Sequence, residues 1–345
     1  MTASEYTTQS LFIGTANHGY AQQAQEEIRR LFGTGTLFNQ LTPAETYLFQ
    51  LPVEKSEAIR VILAQEPMFL RHMQPVDAEL EWDGTLKAVQ YWIVREFSFS
   101  LNTKLAIQVR KTEHAAPAIS TGTLKQALDS VLVEAYSVEP VTKEADFILS
   151  VYLTAGKVYA GLSKPEHNLS DWSGGAIRFR KEAGQVSRAK FKLLEAEQEF
   201  GLDFAQYRSA IDIGAAPGGW TSLLLERGVK VTAIDPAKLD ASLLKHPNLT
   251  YLKKNAGDVR LNTDAYDLLV CDMSWSSRQM AKLVKGLLHS LQTGGTAVIT
   301  VKLMHKKPFQ AMRELVEDLA PELALQKAKQ LFHNRDELTA FFIKN

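Results

Sequence analysis

The stretch Ile211 to Thr221, IDIGAAPGGWT, constrains this chain more than any other. Two β-branched apolar residues flank an acid, a glycine-rich run follows, and Trp220-Thr221 leads into the apolar segment SLLLERG. The pattern reads as strand, tight loop and helix. Gly214, Gly218 and Gly219 let the backbone turn sharply and approach a ligand with no Cβ in the way, while the helix that follows offers N–H groups at its start. Such a loop holds a nucleotide-like ligand. A dinucleotide site shows GxGxxG, whereas the spacing here is DxGxxxGG with Pro217 stiffening the turn, which favours S-adenosylmethionine over NAD.

Around this loop, strands are expected at 209–213, 230–234, 249–252, 267–271 and 296–302, separated by helical stretches. That alternation demands a parallel sheet with right-handed crossovers. Segments 325–332 and 338–343, joined by His333-Asn334-Arg335-Asp336, read as an antiparallel hairpin at one end. The whole is similar to the Rossmann-type methyltransferase sheet.

In an open α/β sheet, ligands sit beyond the carboxyl ends of the strands, so the residues that end successive strands should converge. Asp235 ends the second, where a carboxylate would accept both ribose hydroxyls of a nucleoside. Asn255 follows the third, where an amide could meet an adenine edge, with Asp258 three residues on as the alternative. Asp272 ends the fourth, Lys302 ends the fifth and Glu337 begins the last. A lysine at the inner end of a buried strand costs desolvation unless it is paired, and Asp272 and Glu337 are its candidate partners. A structural salt bridge explains any two of these residues, but not so easily four once Lys192 is added from SRAKFKL, just before the motif strand.

The remainder divides into two blocks. Residues 1–80 read as β-α-β-β-α-β, a ferredoxin-like order, with strand 11–16, helix 20–32, two strands joined at Thr42-Pro43, helix 55–65 and a last strand near Phe69. Residues 81–170 read as helix 86–95, strand 105–109, helix 121–135 and strands 147–153 and 158–162. The order, the strand carrying Arg110-Lys111 and the helix start STGTLKQAL resemble a THUMP domain, an RNA-binding module; a spacer or dimerisation domain is the plain alternative. Residues 171–186 are polar and basic without periodicity and read as a linker, leaving 187–345 as the Rossmann-type domain.

The chain has 345 residues, enough for two or three domains, with 45% hydrophobic and 23% charged side chains. One cysteine, Cys271, excludes an internal disulfide framework and a multi-cysteine zinc site; His18 and His72 lack partners at ligand spacing, so no metal is expected. The start MTASEYTTQSLFIG has no basic n-region, and no segment approaches 18 uninterrupted apolar residues, so a cytoplasmic protein without a membrane partner is expected. With 39 basic and 39 acidic residues, net charge lends no support to nucleic-acid binding. Only local patches could serve: Arg178, Arg180 and Lys181; Arg188, Lys190 and Lys192; Lys253-Lys254; and Lys306-Lys307.

Lys192, Asp272, Lys302 and Glu337 match, in order and context, the K-D-K-E tetrad of the FtsJ-type ribose 2′-O-methyltransferases, and SRAKFKL, DIGAAPGGW and VCDM resemble that family. VKLMHKK at 301–307 and LFHNRDELT at 331–339 are similar to its RlmM-like subfamily, which modifies large-subunit ribosomal RNA and carries a THUMP-containing N-terminal region. The resemblance implies transfer of the methyl of S-adenosylmethionine to a ribose 2′-hydroxyl of RNA, with 23S ribosomal RNA as partner. It implies Lys302 as the base, Lys192 as a cation that favours its loss of a proton, Asp272 as the group that orients it and Glu337 as the group that holds the geometry. It also implies a cofactor site made by Ser187, Gly214, Pro217, Gly218, Gly219, Trp220, Asp235, Asn255 and Asp272. A non-catalytic RNA-binding or ribosome-assembly protein and a small-molecule O-methyltransferase are the alternatives.

Overall fold

The computed structural model describes residues 9–115, 119–181, 184–303 and 307–345. Residues 1–8 of the opening stretch, residues 182–183 of the expected linker and residues 304–306 of VKLMHKK, Lys306 among them, lie outside the described residues. Contacts divide the chain into two units, Met1–Ala176 and Ile177–Asn345.

In the first unit, β1 (Ser10–Thr15), α1 (Ala21–Phe32), β2 (Leu37–Thr42), β3 (Thr46–Leu51), α2 (Lys55–Gln65) and β4 (His72–Pro75) follow the β-α-β-β-α-β order. They make an antiparallel sheet in the order β2-β3-β1-β4. The last strand starts later than expected near Phe69. There the amides of Met68, Phe69 and Leu70 all donate to the Glu27 carboxylate, which takes those backbone groups away from a ladder.

A second sheet follows from β5 (Ala78–Glu81), α3 (Leu86–Glu96), β6 (Lys104–Lys111), α4 (Thr121–Tyr136), β7 (Glu139–Pro140), β8 (Phe147–Leu153) and β9 (Lys157–Ser163), in the order β5-β9-β8-β6-β7. Ser120 caps α4, its Oγ accepting from the Thr123 amide at 2.9 Å. β5 and β7 are too short to carry a legible pattern, and β5 pairs with β9, so residues 78–80 go with the second sheet and not the first. Arg110 is not offered to a ligand. Its Nη1 donates to Thr15 Oγ1 at 2.7 Å and its Nη2 to Gln74 Oε1 at 2.9 Å, over the Tyr152 ring. Lys111 Nζ donates to the Ile119 carbonyl at 2.9 Å. His72 is fully buried, and burial together with the Arg110 and Arg71 charges holds it well below the usual histidine range, whereas His18 is exposed. The front of the expected linker is packed: Gly174 and Gly175 are buried, and Arg71 Nε donates to the Gly174 carbonyl at 3.1 Å.

The second unit contains α5 (Lys190–Glu199), β10 (Ser209–Ile213), α6 (Gly219–Glu226), β11 (Lys230–Ile234), β12 (Leu249–Leu252), β13 (Tyr266–Cys271), α7 (Ser277–Leu287), β14 (Leu291–Lys302), α8 (Pro308–Leu319), β15 (Leu323–Lys329) and β16 (Glu337–Lys344). Its seven strands run β12-β11-β10-β13-β14-β16-β15; the first five are parallel, and β16 lies antiparallel between β14 and β15. This is the Rossmann-type methyltransferase arrangement read from the alternation. Leu268 to Cys271 and Ala297 to Ile299 are fully buried, as a parallel sheet covered on both faces requires. From β10 the chain winds to β11 and β12 and then returns to β13 on the other side. The switch point therefore lies between β10 and β13, and a crevice opens at their carboxyl ends. Among the described residues, no helix is long and apolar enough to cross a membrane.

Candidate active site

The glycine-rich loop leaves β10 at this switch point. Gly214 has φ 76°, and a Cβ there would stand 2.4 Å from Met273 Cγ and 3.6 Å from the Asp272 carbonyl oxygen. Gly218, at φ 116°, precedes the first turn of α6, and its Cβ would stand 2.3 Å from Leu243 Cδ1. The sequence reading gives that space to a ligand; the structure gives it to Leu243, so Gly218 is required by packing as well as by backbone conformation. Gly219 lies against the segment that leads into α5, with Ser187 Cβ and the Lys190 amide 3.0 and 3.1 Å from where its own Cβ would be. The Ala216–Pro217 bond is cis, and the Pro217 carbonyl accepts from the Asp240 amide at 2.9 Å.

The Trp220 side chain is buried in the core, and its Nε1 donates to the Ala189 carbonyl at 2.9 Å, which fastens α6 to the start of α5. Beneath the loop, Asp212 is buried and accepts from Thr221 Oγ1 at 2.5 Å. Burial, reinforced by the charges of Asp272 and Asp235, pushes its carboxyl up to about 7.

Asp235 stands just beyond β11. Its Oδ2 accepts from the Ala216 amide at 3.0 Å and its Oδ1 from the Ala237 amide at 2.7 Å. The two bonds fix the plane of the carboxylate, and each oxygen keeps a second lone pair. Asn255 and Asp258 are both exposed after β12 and share a hydrogen bond, Asn255 Nδ2 to Asp258 Oδ2 at 3.3 Å, so the two alternatives for the adenine edge occupy one place. Ser187 Oγ accepts from the Ala189 amide at 3.2 Å.

The four residues Lys192, Asp272, Lys302 and Glu337 meet. Lys192 Nζ lies 3.1 Å from Asp272 Oδ1 and 3.5 Å from Glu337 Oε1, and Lys302 Nζ lies 3.7 Å from the same Glu337 oxygen. Their side chains are between 12% and 28% exposed, so the charges are largely but not wholly desolvated. The pairing differs from expectation in one respect: Asp272 pairs with Lys192 and not with Lys302. Cys271 pairs with Ile299 in the parallel ladder, which puts Asp272 beside Thr300, and Thr300 Oγ1 donates to Asp272 Oδ1 at 2.9 Å. Lys302, two residues further on, instead pairs in register with Glu337.

A residue not singled out in the sequence sets the last corner. Glu195, buried on α5 one turn from Lys192, accepts from the Phe332 amide at 2.6 Å, the His333 amide at 2.9 Å and His333 Nδ1 at 2.7 Å. Asn334 Oδ1 accepts from the Leu331 amide at 2.9 Å, and the Arg335 amide donates to Glu337 Oε2 at 2.9 Å. The turn between β15 and β16 is thereby tied to the helix that carries Lys192. The i, i+3 spacing of Lys192 and Glu195 was the available signal.

Of the basic patches, Arg178, Arg180, Lys181, Arg188, Lys253 and Lys254 are exposed. Lys190 is buried and bound to Glu226 at 2.7 Å, which removes it from any surface patch. The Cys271 thiol is buried and pushed up by that burial, so it stays protonated and inert.

Residues 185–328 match the family model described as FtsJ-like methyltransferase. This stretch is an FtsJ-like methyltransferase domain. The ribosomal RNA large subunit methyltransferase M of Halorhodospira halophila is 32% identical over 186 residues, 53% of this chain and 53% of that protein. The protein of the same name from Psychromonas ingrahamii is 34% identical over 203 residues, 54% of each chain. The chain spans about half the length of the curated relatives it matches.

Within the methyltransferase domain, an orienting carboxylate at Asp235, a loop with left-handed glycines and a cluster of two lysines and two carboxylates lie along one edge of the sheet. Asp272 belongs to two of these parts: its carbonyl backs Gly214 and its carboxylate holds Lys192.

Proposed function

We propose that the chain methylates a ribose 2′-hydroxyl of large-subunit ribosomal RNA, the 23S RNA, using S-adenosylmethionine. One observation carries the reading. Lys192, Asp272, Lys302 and Glu337, from four separate elements, converge beside the loop that follows β10. A small-molecule methyltransferase has no evident need for all four, and a purely RNA-binding protein has no need for a lysine held at the mouth of a buried strand.

The residues present fit the cofactor. Asp235 would take the ribose hydroxyls, the backbone from Gly214 to Gly219 would line the methionine portion, Ser187 would stand beside it and Asn255 with Asp258 would meet the adenine edge. When bound, the cofactor supplies a methyl group on a sulfonium sulfur. Lys302 Nζ, as the neutral amine that the Lys192 charge beside it favours, would take the proton of the 2′-hydroxyl and leave that oxygen as the nucleophile for the methyl that the cofactor would supply. Glu337 stabilises the ammonium that results. Asp272 and Glu337 hold Lys192, and the fixed cluster keeps the acceptor oxygen in line, where much of the rate arises from positioning. The N-terminal region, THUMP-like in its order of elements, holds the RNA, and the protein works in the cytoplasm.

The test is transfer of labelled methyl from S-adenosylmethionine to purified large-subunit RNA, followed by digestion to nucleosides. Label in a 2′-O-methylnucleoside supports the reading. Label in a methylated base, or in small molecules only, contradicts it.

A further inference from the structure

A cavity of about 370 Å³ opens beside Lys302. Its walls include Ser276, Ser277 and Arg278 at the start of α7, Lys302 at the end of β14, and Lys307 and Gln310 at the start of α8. At this size it admits a single nucleotide unit and not a folded duplex. Beside Lys302, two further basic residues, Arg278 and Lys307, face it against one carboxylate, Glu314, which is already engaged: Arg278 Nε lies 3.4 Å from Glu314 Oε2, and Gln310 Nε2 donates to Glu314 Oε1 at 2.8 Å. The Arg278 side chain is 75% exposed, so it is held by one contact and can turn to another partner.

We propose that this cavity seats the phosphodiester on the 3′ side of the acceptor ribose, bound by Arg278 and Lys307. The inference rests on the reading of the chain as an RNA 2′-O-methyltransferase. It follows from the covalent structure of RNA: the 3′-phosphate sits on the carbon next to the one that bears the 2′-hydroxyl. A hydroxyl placed at Lys302 Nζ therefore carries its 3′-phosphate within a few ångström, and the cavity is the adjoining space with cations to receive it. A guanidinium matches two phosphate oxygens at once, while Lys307 acts as a point charge. Ser276, Ser277 and Gln310 add neutral donors. The consequence is a preference for a ribose inside a chain over a 3′-terminal one.

The experiment uses the full chain and, as acceptor, large-subunit RNA from cells lacking the protein. Arg278→Gln and Lys307→Gln are each expected to raise KM for the RNA about tenfold or more, the effect of losing one charge-assisted contact. The salt slope of binding should fall by about one for each. The rate at saturating RNA and the affinity for S-adenosylmethionine should stay near those of the parent. Glu314→Gln, which removes the competing carboxylate, should lower KM, a change that loss of a merely structural contact would not produce. Unchanged KM and slope in both cation variants would overturn the assignment. If the parent binds S-adenosylmethionine but transfers no methyl to this RNA, the underlying reading falls, and the phosphate site falls with it.

Discussion

Lys302 and Glu337 are register partners across β14 and β16, and Lys302 Nζ lies 3.7 Å from the Glu337 oxygen that Lys192 reaches at 3.5 Å. One carboxylate thus links two lysine side chains that arrive from a strand end and a helix. Asp272 closes the cluster from the other side through Lys192. Removing any one member leaves the rest with unbalanced, largely desolvated charge.

Replacing Lys302 by alanine should cost about 100- to 10,000-fold in the single-turnover rate on large-subunit RNA, the range for loss of a general base. Calorimetric affinity for S-adenosylmethionine should be retained, because the lysine acts on the hydroxyl. A loss smaller than about tenfold would remove Lys302 from this role.

Glu195 sits away from the reacting atoms and acts through the turn that ends at Glu337. Glu195→Ala leaves the half-buried Phe332 and His333 amides without their acceptor, at about 1 kcal/mol for each. The expected outcome is a lower kcat with little change in cofactor affinity, and partial rescue by Glu195→Gln, which restores one acceptor oxygen. If the alanine variant matches the parent in kcat, the turn does not need this anchor.

Asp212 gives the second unit a pH dependence. Its carboxyl is raised from an ordinary 3.8 to about 7, so folding takes up a proton between those values. The stability this confers is fully present below about pH 4 and is lost as pH rises through about 7. Between pH 5 and 7.5 the denaturant midpoint of the parent should fall more steeply than that of Asp212→Asn, which keeps an acceptor for Thr221 but does not titrate. The difference is of order a few kcal/mol at most. Parallel pH profiles for the two proteins would show that the group does not titrate in this range.

Asp235→Asn should weaken S-adenosylmethionine binding about tenfold or more, since an amide cannot accept from the loop and from two hydroxyls as a carboxylate does. It is a cleaner test than a bulky residue at Gly218, where the added side chain would first meet Leu243. Equal affinity in a folded Asp235→Asn protein would move the ribose site elsewhere.

Much of this site was legible because parallel strands impose a simple rule: long apolar segments must end at the same edge, so the polar residue after each one is a neighbour of the others. Asp235, Asp272 and Lys302 follow from that rule alone. Which of them pair does not, because pairing depends on register. Asp272 meets Lys192, and Thr300 occupies the place next to it. Glu195 and the capture of the 331–337 turn are contacts across 137 residues or more, which no local pattern announces. The engagements of the Trp220 indole and the Arg110 guanidinium were hidden for another reason: a side chain next to a motif, or a cation on a strand, gives no local sign of the core that takes it up. The short strands β5 and β7 carry too few residues for an alternation to show.

The most direct measurement is a map of 2′-O-methyl groups on large-subunit RNA from cells with the protein, without it, and with the Lys302→Ala variant in its place. The expected result is one ribose methyl present with the parent and absent in both other cases. An identical methylation map in all three would contradict the assignment of this chain as a ribose 2′-O-methyltransferase of that RNA.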